Sequence, residues 1–94
     1  MIQHITTAAA WKAARAAGSY RGDALESEGF IHCSEPHQVA GVAEAFYKGH
    51  EGLVLLDIDP AKVTPEIKYE GGFPHVYGPL NLDAVTGVRP LPPP

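Results

Sequence analysis

The chain has 94 residues, a formal net charge of -4 and a hydrophobic fraction of 45%, values that fit one globular domain over residues 1–94 and argue against disorder. Because the chain is acidic and its few basic residues are scattered, it lacks the basic face that binding to nucleic acid or to an anionic membrane requires. A single cysteine excludes an internal disulfide framework, and no apolar signal or spanning run follows the first residues, so we expect a cytoplasmic protein.

A short strand and an alanine-rich helix are predicted to open the chain. Residues 2–5 are apolar enough for a strand, and either of the two threonines that follow can cap the helix. The helix covers residues 8–17 and ends at Gly18, because glycine readily adopts the left-handed conformation of a helix end. Residues 19–28 show no sustained period and carry turn residues at both ends, which predicts a loop. Tyr20 and Arg21 in this loop could close over a ligand near His32, and the alternative interpretation is a solvated connector.

The run from Gly29 to Ser34 brings three chemically capable side chains to the end of a short apolar strand. Strand alternation puts His32 and Cys33 on opposite faces, so these two side chains should not act together. Ser34 is a preferred N-cap residue, which predicts a second helix over residues 35–47 with exposed amides that suit a phosphate or a carboxylate. We therefore expect function at His32 and Ser34.

The second helix and the strand after it are predicted to supply much of the core. Val39, Val42, Ala43 and Phe46 recur at the spacing of one buried helical stripe. Residues 53–58 form the most apolar run in the chain, which predicts a central strand buried on both faces.

Two extended segments around a glycine pair predict a hairpin, with residues 67–70 before the connection and residues 75–77 after it. If the residue between His75 and Tyr77 faces the core, these two share the opposite face, and Glu70 can join them in a polar cluster. The same three residues also fit the solvated face of a hairpin.

The end of the chain predicts one helical turn, capped by Asn81, and an edge strand over residues 85–91. A proline-rich tail, residues 90–94, closes the domain.

Histidine and cysteine supply the right atoms for zinc, but their spacing does not favour a metal site. His32 and Cys33 diverge on one strand, and no Cys-x-x-Cys pair or histidine pair on a helix supplies a second anchor. A lone cysteine within an apolar strand is usually inert packing. We therefore predict no metal ligands and expect His37 and His50 to face solvent.

Three segments, Gly29 to Ser34, residues 53–59 and residues 73–80, resemble the domain of unknown function 952 family of small bacterial and plant proteins. That family has no established activity, and its fold resembles the ADP-ribosyltransferase core, in which two small sheets bind nicotinamide dinucleotide in a cleft between them. The resemblance implies an α+β fold with two small, mostly antiparallel sheets and two helices in the N-terminal half.

The resemblance also implies roles for single residues. The first-strand histidine that holds a ribose hydroxyl corresponds to His4, with Thr6 two residues later. The aromatic residue that stacks on nicotinamide corresponds to Phe30. Glu70 is the nearest candidate for the glutamate that stabilises positive charge on the ribose.

Three functions remain open from the sequence. The first is binding of an anionic, nucleotide-like or ribosyl small molecule in a cleft lined by the histidines His4, His32 and His75, with ligand contacts from His4, Thr6, Phe30, His32 and Ser34. The second is an ADP-ribosyltransferase-like enzyme that acts on a ribosyl glycosidic bond, with nicotinamide dinucleotide as the implied cofactor and Glu70, His75 and Tyr77 as catalytic residues. The third is a non-catalytic structural or protein-interaction module. In each case we expect a monomer or a small homo-oligomer.

Overall fold

The structure, a computed structural model, describes residues 1–93, so the last proline of the predicted tail lies outside the described residues. The strands are β1 (Ile2–Thr7), β2 (Ser19–Tyr20), β3 (Ile31–His32), β4 (Leu53–Ile58), β5 (Ile67–Glu70), β6 (Phe73–Val76), β7 (Leu80–Asn81) and β8 (Val85–Pro90). The α-helices are α1 (Ala8–Ala17), α2 (Ala24–Glu28) and α3 (Val39–Phe46), and 3-10 turns cover Pro36–Gln38, Pro60–Lys62 and Leu82–Ala84. Within residues 1–93, no helix is long and apolar enough to cross a membrane.

The strands form three small antiparallel sheets, with orders β1-β4-β8, β2-β7 and β3-β6-β5. This arrangement confirms the predicted α+β class with small antiparallel sheets. The described chain has one sheet and one N-terminal helix more than expected, because the segment predicted as a loop folds into β2 and α2.

Strand β4 is the centre of the first sheet, and it packs on both faces. Leu56 is fully buried and joins Ala14 of α1 in one core cluster. Leu55, on the opposite face, packs with Val39 and Ala43 of α3 in a second cluster. The predicted central strand, buried on both faces, is therefore confirmed, and burial of each large aliphatic side chain stabilises the fold by roughly 1.5–3 kcal/mol.

Helix α1 has the predicted bounds. Thr7 is its N-cap, and the Thr7 side chain accepts a hydrogen bond of 3.0 Å from the Ala10 N–H. The helix ends at Gly18, whose φ of 90° is left-handed, as expected. Trp11 is half-buried against the core.

The prediction of a loop over residues 19–28 is wrong. Tyr20 in β2 pairs with Leu80 in β7, far along the chain, so local sequence gives no sign of this pairing. Helix α2 has five residues and ends at Gly29, whose N–H donates to the Leu25 carbonyl at 2.9 Å. A helix this short cannot show a sustained apolar period, which is why the pattern predicted a loop.

Ser34 does not cap the second helix, so this prediction is also wrong. The Ser34 N–H donates to the Gln3 carbonyl at 2.7 Å, and the Gln3 N–H donates to the Ser34 carbonyl at 2.8 Å, which joins the end of β3 to β1. Glu35 is the cap residue instead, and its N–H donates to the Gln38 side chain at 2.8 Å in a capping box. A carboxylate at this position disfavours a phosphate, so the physical reason for an anion at this helix start no longer holds.

The predicted stripe of the second helix is correct at Val39 and Ala43, which are buried, but wrong at Phe46, which is 73% exposed. The helix is shorter than predicted, and Phe46 at its end lies over a cavity.

The predicted C-terminal hairpin, helical turn and edge strand all form, but the Asn81 side chain makes no capping hydrogen bond at the turn. Gly71 and Gly72 have φ values of 59° and 83°, which suits the two-residue turn of a hairpin. Strand β6 begins two residues earlier than expected, at Phe73. Strand β8 is the predicted edge strand, paired with β4.

Candidate functional site

His4, in β1, lies where the first sheet meets β3. Its Nδ1 bonds to the carbonyl oxygen of His32, and its Nε2 lies 2.7 Å from the Tyr20 hydroxyl oxygen. Because a carbonyl can only accept, Nδ1 carries the proton and Nε2 accepts from the Tyr20 hydroxyl. The neutral His4 ring therefore uses both of its nitrogens within the protein.

Burial lowers the pKa of His4 to about 4 from an ordinary value of 6.5. Loss of hydration is the main cause, since the residue is 9% exposed, and the hydrogen bond to the His32 carbonyl opposes only part of it. At neutral pH, His4 is uncharged. It therefore orients hydrogen bonds and does not attract an anion by charge.

Tyr20 extends this network to Thr6. The Tyr20 oxygen lies 3.0 Å from Thr6 Oγ1, and since its proton points to His4, the Thr6 hydroxyl donates to Tyr20. Burial raises the pKa of Tyr20 and keeps the phenol protonated. The sequence indicated Tyr20 as a residue that could close over a ligand, but its contact with His4 depends on the fold, since β2 pairs with the distant β7.

Two cavities of about 470 Å³ each share the lining residues His4, Ile5, His32 and Tyr47, and we call the pair the cleft. The α1 lobe is lined also by α1 and by residues 19–24. The α3 lobe is lined also by Cys33, Ser34, Val42, Phe46 and Phe73. Volumes of this size are typical of sites for small molecules and cofactors.

The structure brings together four of the five expected ligand contacts. His4, Thr6, His32 and Ser34 line the cleft. Phe30 lines neither lobe.

His75 also lies outside the cleft, so the expected cleft of three histidines contains two. The order of the strands explains why His75 does not reach the cleft. His75 pairs with His32 across β3 and β6, and β6 lies on the side of β3 away from β1, one strand further from His4.

Glu70, His75 and Tyr77 form the cluster that strand alternation predicted. Glu70 Oε2 accepts from His75 Nδ1 at 2.9 Å and from the Tyr77 hydroxyl at 2.8 Å. These hydrogen bonds, that of Tyr77 first, lower the pKa of Glu70 and keep it ionised. Phe30 stacks on His75 with ring centroids 4.0 Å apart, and the His32 ring is 5.3 Å from that of His75.

The carboxylate of this cluster faces solvent, whereas the His75 side chain is only 11% exposed. The Glu70 side chain is 54% exposed and lines neither lobe.

Cys33 is buried, and burial raises the pKa of its thiol to about 12, so it is a poor nucleophile. Its neighbour His32 is exposed, which agrees with the predicted placement of these two side chains on opposite faces. Within residues 1–93, no three or more His, Cys, Asp or Glu side chains are grouped to hold a metal ion.

Arg21 supplies the positive charge of the α1 lobe. It is exposed, lines this lobe and forms no ion pair with any residue that the structure describes. Asp23 lines the same lobe. The Arg21 guanidinium is thus available to a bound anion.

The sequence profile described as "Protein of unknown function (DUF952)" matches residues 5–88. The X-ray structure of protein CC0527 from Caulobacter crescentus is similar, with 34% identity and a TM-score of 0.89, over 97% of this chain and 85% of that one. The solution NMR structure of CC0527 is similar with 33% identity and a TM-score of 0.75, over 96% of this chain and 83% of that one. A search of curated proteins found no match.

Proposed function

The chain belongs to the DUF952 family, and from this premise we propose that its cleft binds an anionic, nucleotide-like or ribosyl small molecule. The observation that carries the proposal is the meeting of two ligand-sized cavities at the buried His4 network. A pocket with a few convergent polar groups and a strongly shifted pKa is typical of a binding site.

The proposed contacts divide by chemistry. Arg21 binds the anionic group, since the low pKa of His4 leaves that ring neutral. Thr6, in the α1 lobe, presents a hydroxyl that suits a sugar oxygen, and Ser34 presents a hydroxyl in the α3 lobe. His4 acts through Tyr20, whose hydroxyl it orients.

We also propose that the fold is of the ADP-ribosyltransferase-like type. The support is the cleft beside the junction of two small antiparallel sheets, with the first-strand His4 on its wall. His4 then corresponds to the histidine that holds a ribose hydroxyl in that fold. The correspondence differs in one respect. His4 Nε2 already accepts a hydrogen bond from the Tyr20 hydroxyl, so this nitrogen is not free to bind a ribose hydroxyl.

A thermal-shift screen with nucleotides, dinucleotides and sugar phosphates tests the binding proposal. We expect at least one of them to raise the melting temperature, because a ligand that binds only the folded state stabilises it. Arg21→Gln should weaken binding of that ligand about tenfold, since a charge-assisted hydrogen bond is lost. Arg15→Gln, in the exposed part of α1, is the matched control and should bind as the wild type does.

If no compound of these classes shifts the melting temperature, the binding proposal is wrong. The non-catalytic interaction module would then be favoured.

The transferase alternative has less support from the geometry. Phe30 and Glu70, the expected partners of nicotinamide and ribose, lie outside the cleft, so these residues do not fit the implied dinucleotide in the transferase manner. The feature in its favour is the proximity of the His75 and His32 rings, since His32 lines the cleft and His75 bonds to Glu70.

Nicotinamide release from nicotinamide dinucleotide decides this alternative. We expect the wild type and Glu70→Gln to give equal rates, because the carboxylate faces solvent and not the cleft. A clear fall in rate for Glu70→Gln, with the melting temperature unchanged, would instead establish Glu70 as a catalytic residue.

A further inference from the structure

The two lobes of the cleft differ in their chemistry. Arg21 and Asp23 line the α1 lobe, whereas no lysine, arginine or carboxylate among residues 1–93 lines the α3 lobe. The α3 lobe is instead lined by the apolar and aromatic side chains Ile5, Val42, Phe46, Tyr47 and Phe73. His4, on its wall, is neutral at physiological pH. The lobe is therefore suited to an uncharged group.

Phe46 favours an aromatic ligand group in the α3 lobe. It is 73% exposed although it stands at the end of the buried stripe of α3, and it lines the α3 lobe together with Phe73. A large exposed aromatic side chain at the wall of an apolar cavity has unused surface that a ligand can cover. Aromatic side chains bind planar rings by offset stacking or by edge contacts.

Ser34 supplies a polar atom in this apolar lobe. The residue is 6% exposed, and its hydroxyl makes no hydrogen bond within residues 1–93. No fully buried side-chain oxygen or nitrogen in the described chain lacks a partner, so the Ser34 hydroxyl is at the cavity surface. The bridge to Gln3 fixes the Ser34 backbone, so the hydroxyl is held within rotamer reach of this lobe.

We propose that the α3 lobe binds a planar, uncharged heteroaromatic ring, stacked on Phe46 and hydrogen-bonded by Ser34, while the α1 lobe binds the anionic sugar part of the same molecule. This inference rests on the proposed function and narrows it. The ligand is a molecule that carries a base, not a sugar phosphate alone.

Calorimetric titration of the full chain tests the inference with two kinds of probe. The first is a set of nucleoside monophosphates with purine and pyrimidine bases, and the second is ribose 5-phosphate. We expect the best monophosphate to bind at least about tenfold more tightly than ribose 5-phosphate, since stacking of one base on an aromatic side chain has an effect of this size.

Phe46→Ala assigns the effect to the α3 lobe. It should weaken the best monophosphate about tenfold and leave ribose 5-phosphate unchanged. Because Phe46 is exposed, we expect the variant to fold. Val88→Ala, which removes an exposed apolar side chain outside the cleft, is the control and should change neither affinity.

Ser34→Ala is the second variant, and it should weaken the monophosphate and not ribose 5-phosphate. Equal affinities for ribose 5-phosphate and the best monophosphate would overturn the ring subsite and leave the proposed function standing, as would unchanged affinity in Phe46→Ala. Binding by neither kind of probe would overturn the proposed function and the subsite together.

Discussion

Lowering the pH from about 7.5 to about 4.5 is expected to reduce the free energy of unfolding by about 2–3 kcal/mol through His4 alone. The pKa of His4 is about 4 in the folded protein and has its ordinary value of 6.5 when the chain unfolds. Below pH 6.5 the unfolded chain therefore binds a proton that the folded chain does not. Stability falls as the pH drops from 6.5 to about 4, and below that both states are protonated and the loss ends.

Urea unfolding of the wild type and of His4→Gln across this pH range measures the effect. The variant has its own stability at pH 7.5, so the comparison is between the two pH slopes. We expect the wild-type slope to be steeper, and NMR titration of the His4 ring should give the low pKa directly. Parallel slopes would show that His4 is not the buried neutral ring seen in the structure.

Tyr20→Phe is expected to lower the free energy of unfolding by about 1–3 kcal/mol. The substitution keeps the buried ring but removes the hydroxyl that donates to His4 Nε2 and accepts from Thr6. His4 is then left with an unsatisfied buried nitrogen, and a buried polar group without a partner costs this much. Chemical denaturation at pH 7.5 measures the change.

Tyr77→Phe is the matched control, because it also removes one tyrosine hydroxyl and one hydrogen bond. The Tyr77 hydroxyl bonds to the exposed Glu70, and water can replace it there. We expect its stability to remain close to that of the wild type. A loss in Tyr77→Phe as large as that in Tyr20→Phe would argue against a special role for the buried network.

The parts of the fold that could be predicted are those with local physical causes. Thr7 and Gly18 mark the two ends of α1 by their capping chemistry, and the glycine pair at 71 and 72 marks a hairpin turn. The apolar run of β4 requires a central position in a sheet. Each of these signals lies within a few residues of the element that it specifies.

The parts that failed depend on distant partners. Ser34 is a good N-cap by residue type, but in the fold it forms an isolated β-bridge with Gln3, and a local rule cannot weigh that alternative. Strand β2 exists because Leu80 is beside Tyr20.

The same limit applies to the site. His4, Thr6, His32 and Ser34 were expected at the cleft because motif resemblance or position at a strand end indicated them, and all four line it. The two residues that complete it, Tyr20 and Arg21, lie in the segment for which the sequence left open a ligand-closing loop or a solvated connector. Their role follows from where β2 lies in the fold.

The His4 side chain bonds to the backbone carbonyl of His32 and not to the His32 side chain. Any amino acid at position 32 can offer that carbonyl, so the junction between the two sheets tolerates exchange there. The His32 side chain meanwhile lines both lobes and is half exposed. The backbone of residue 32 thus maintains the cleft, while its side chain is free to vary within the cleft. Position 32 is therefore the place to alter ligand preference by mutagenesis or selection without loss of the fold.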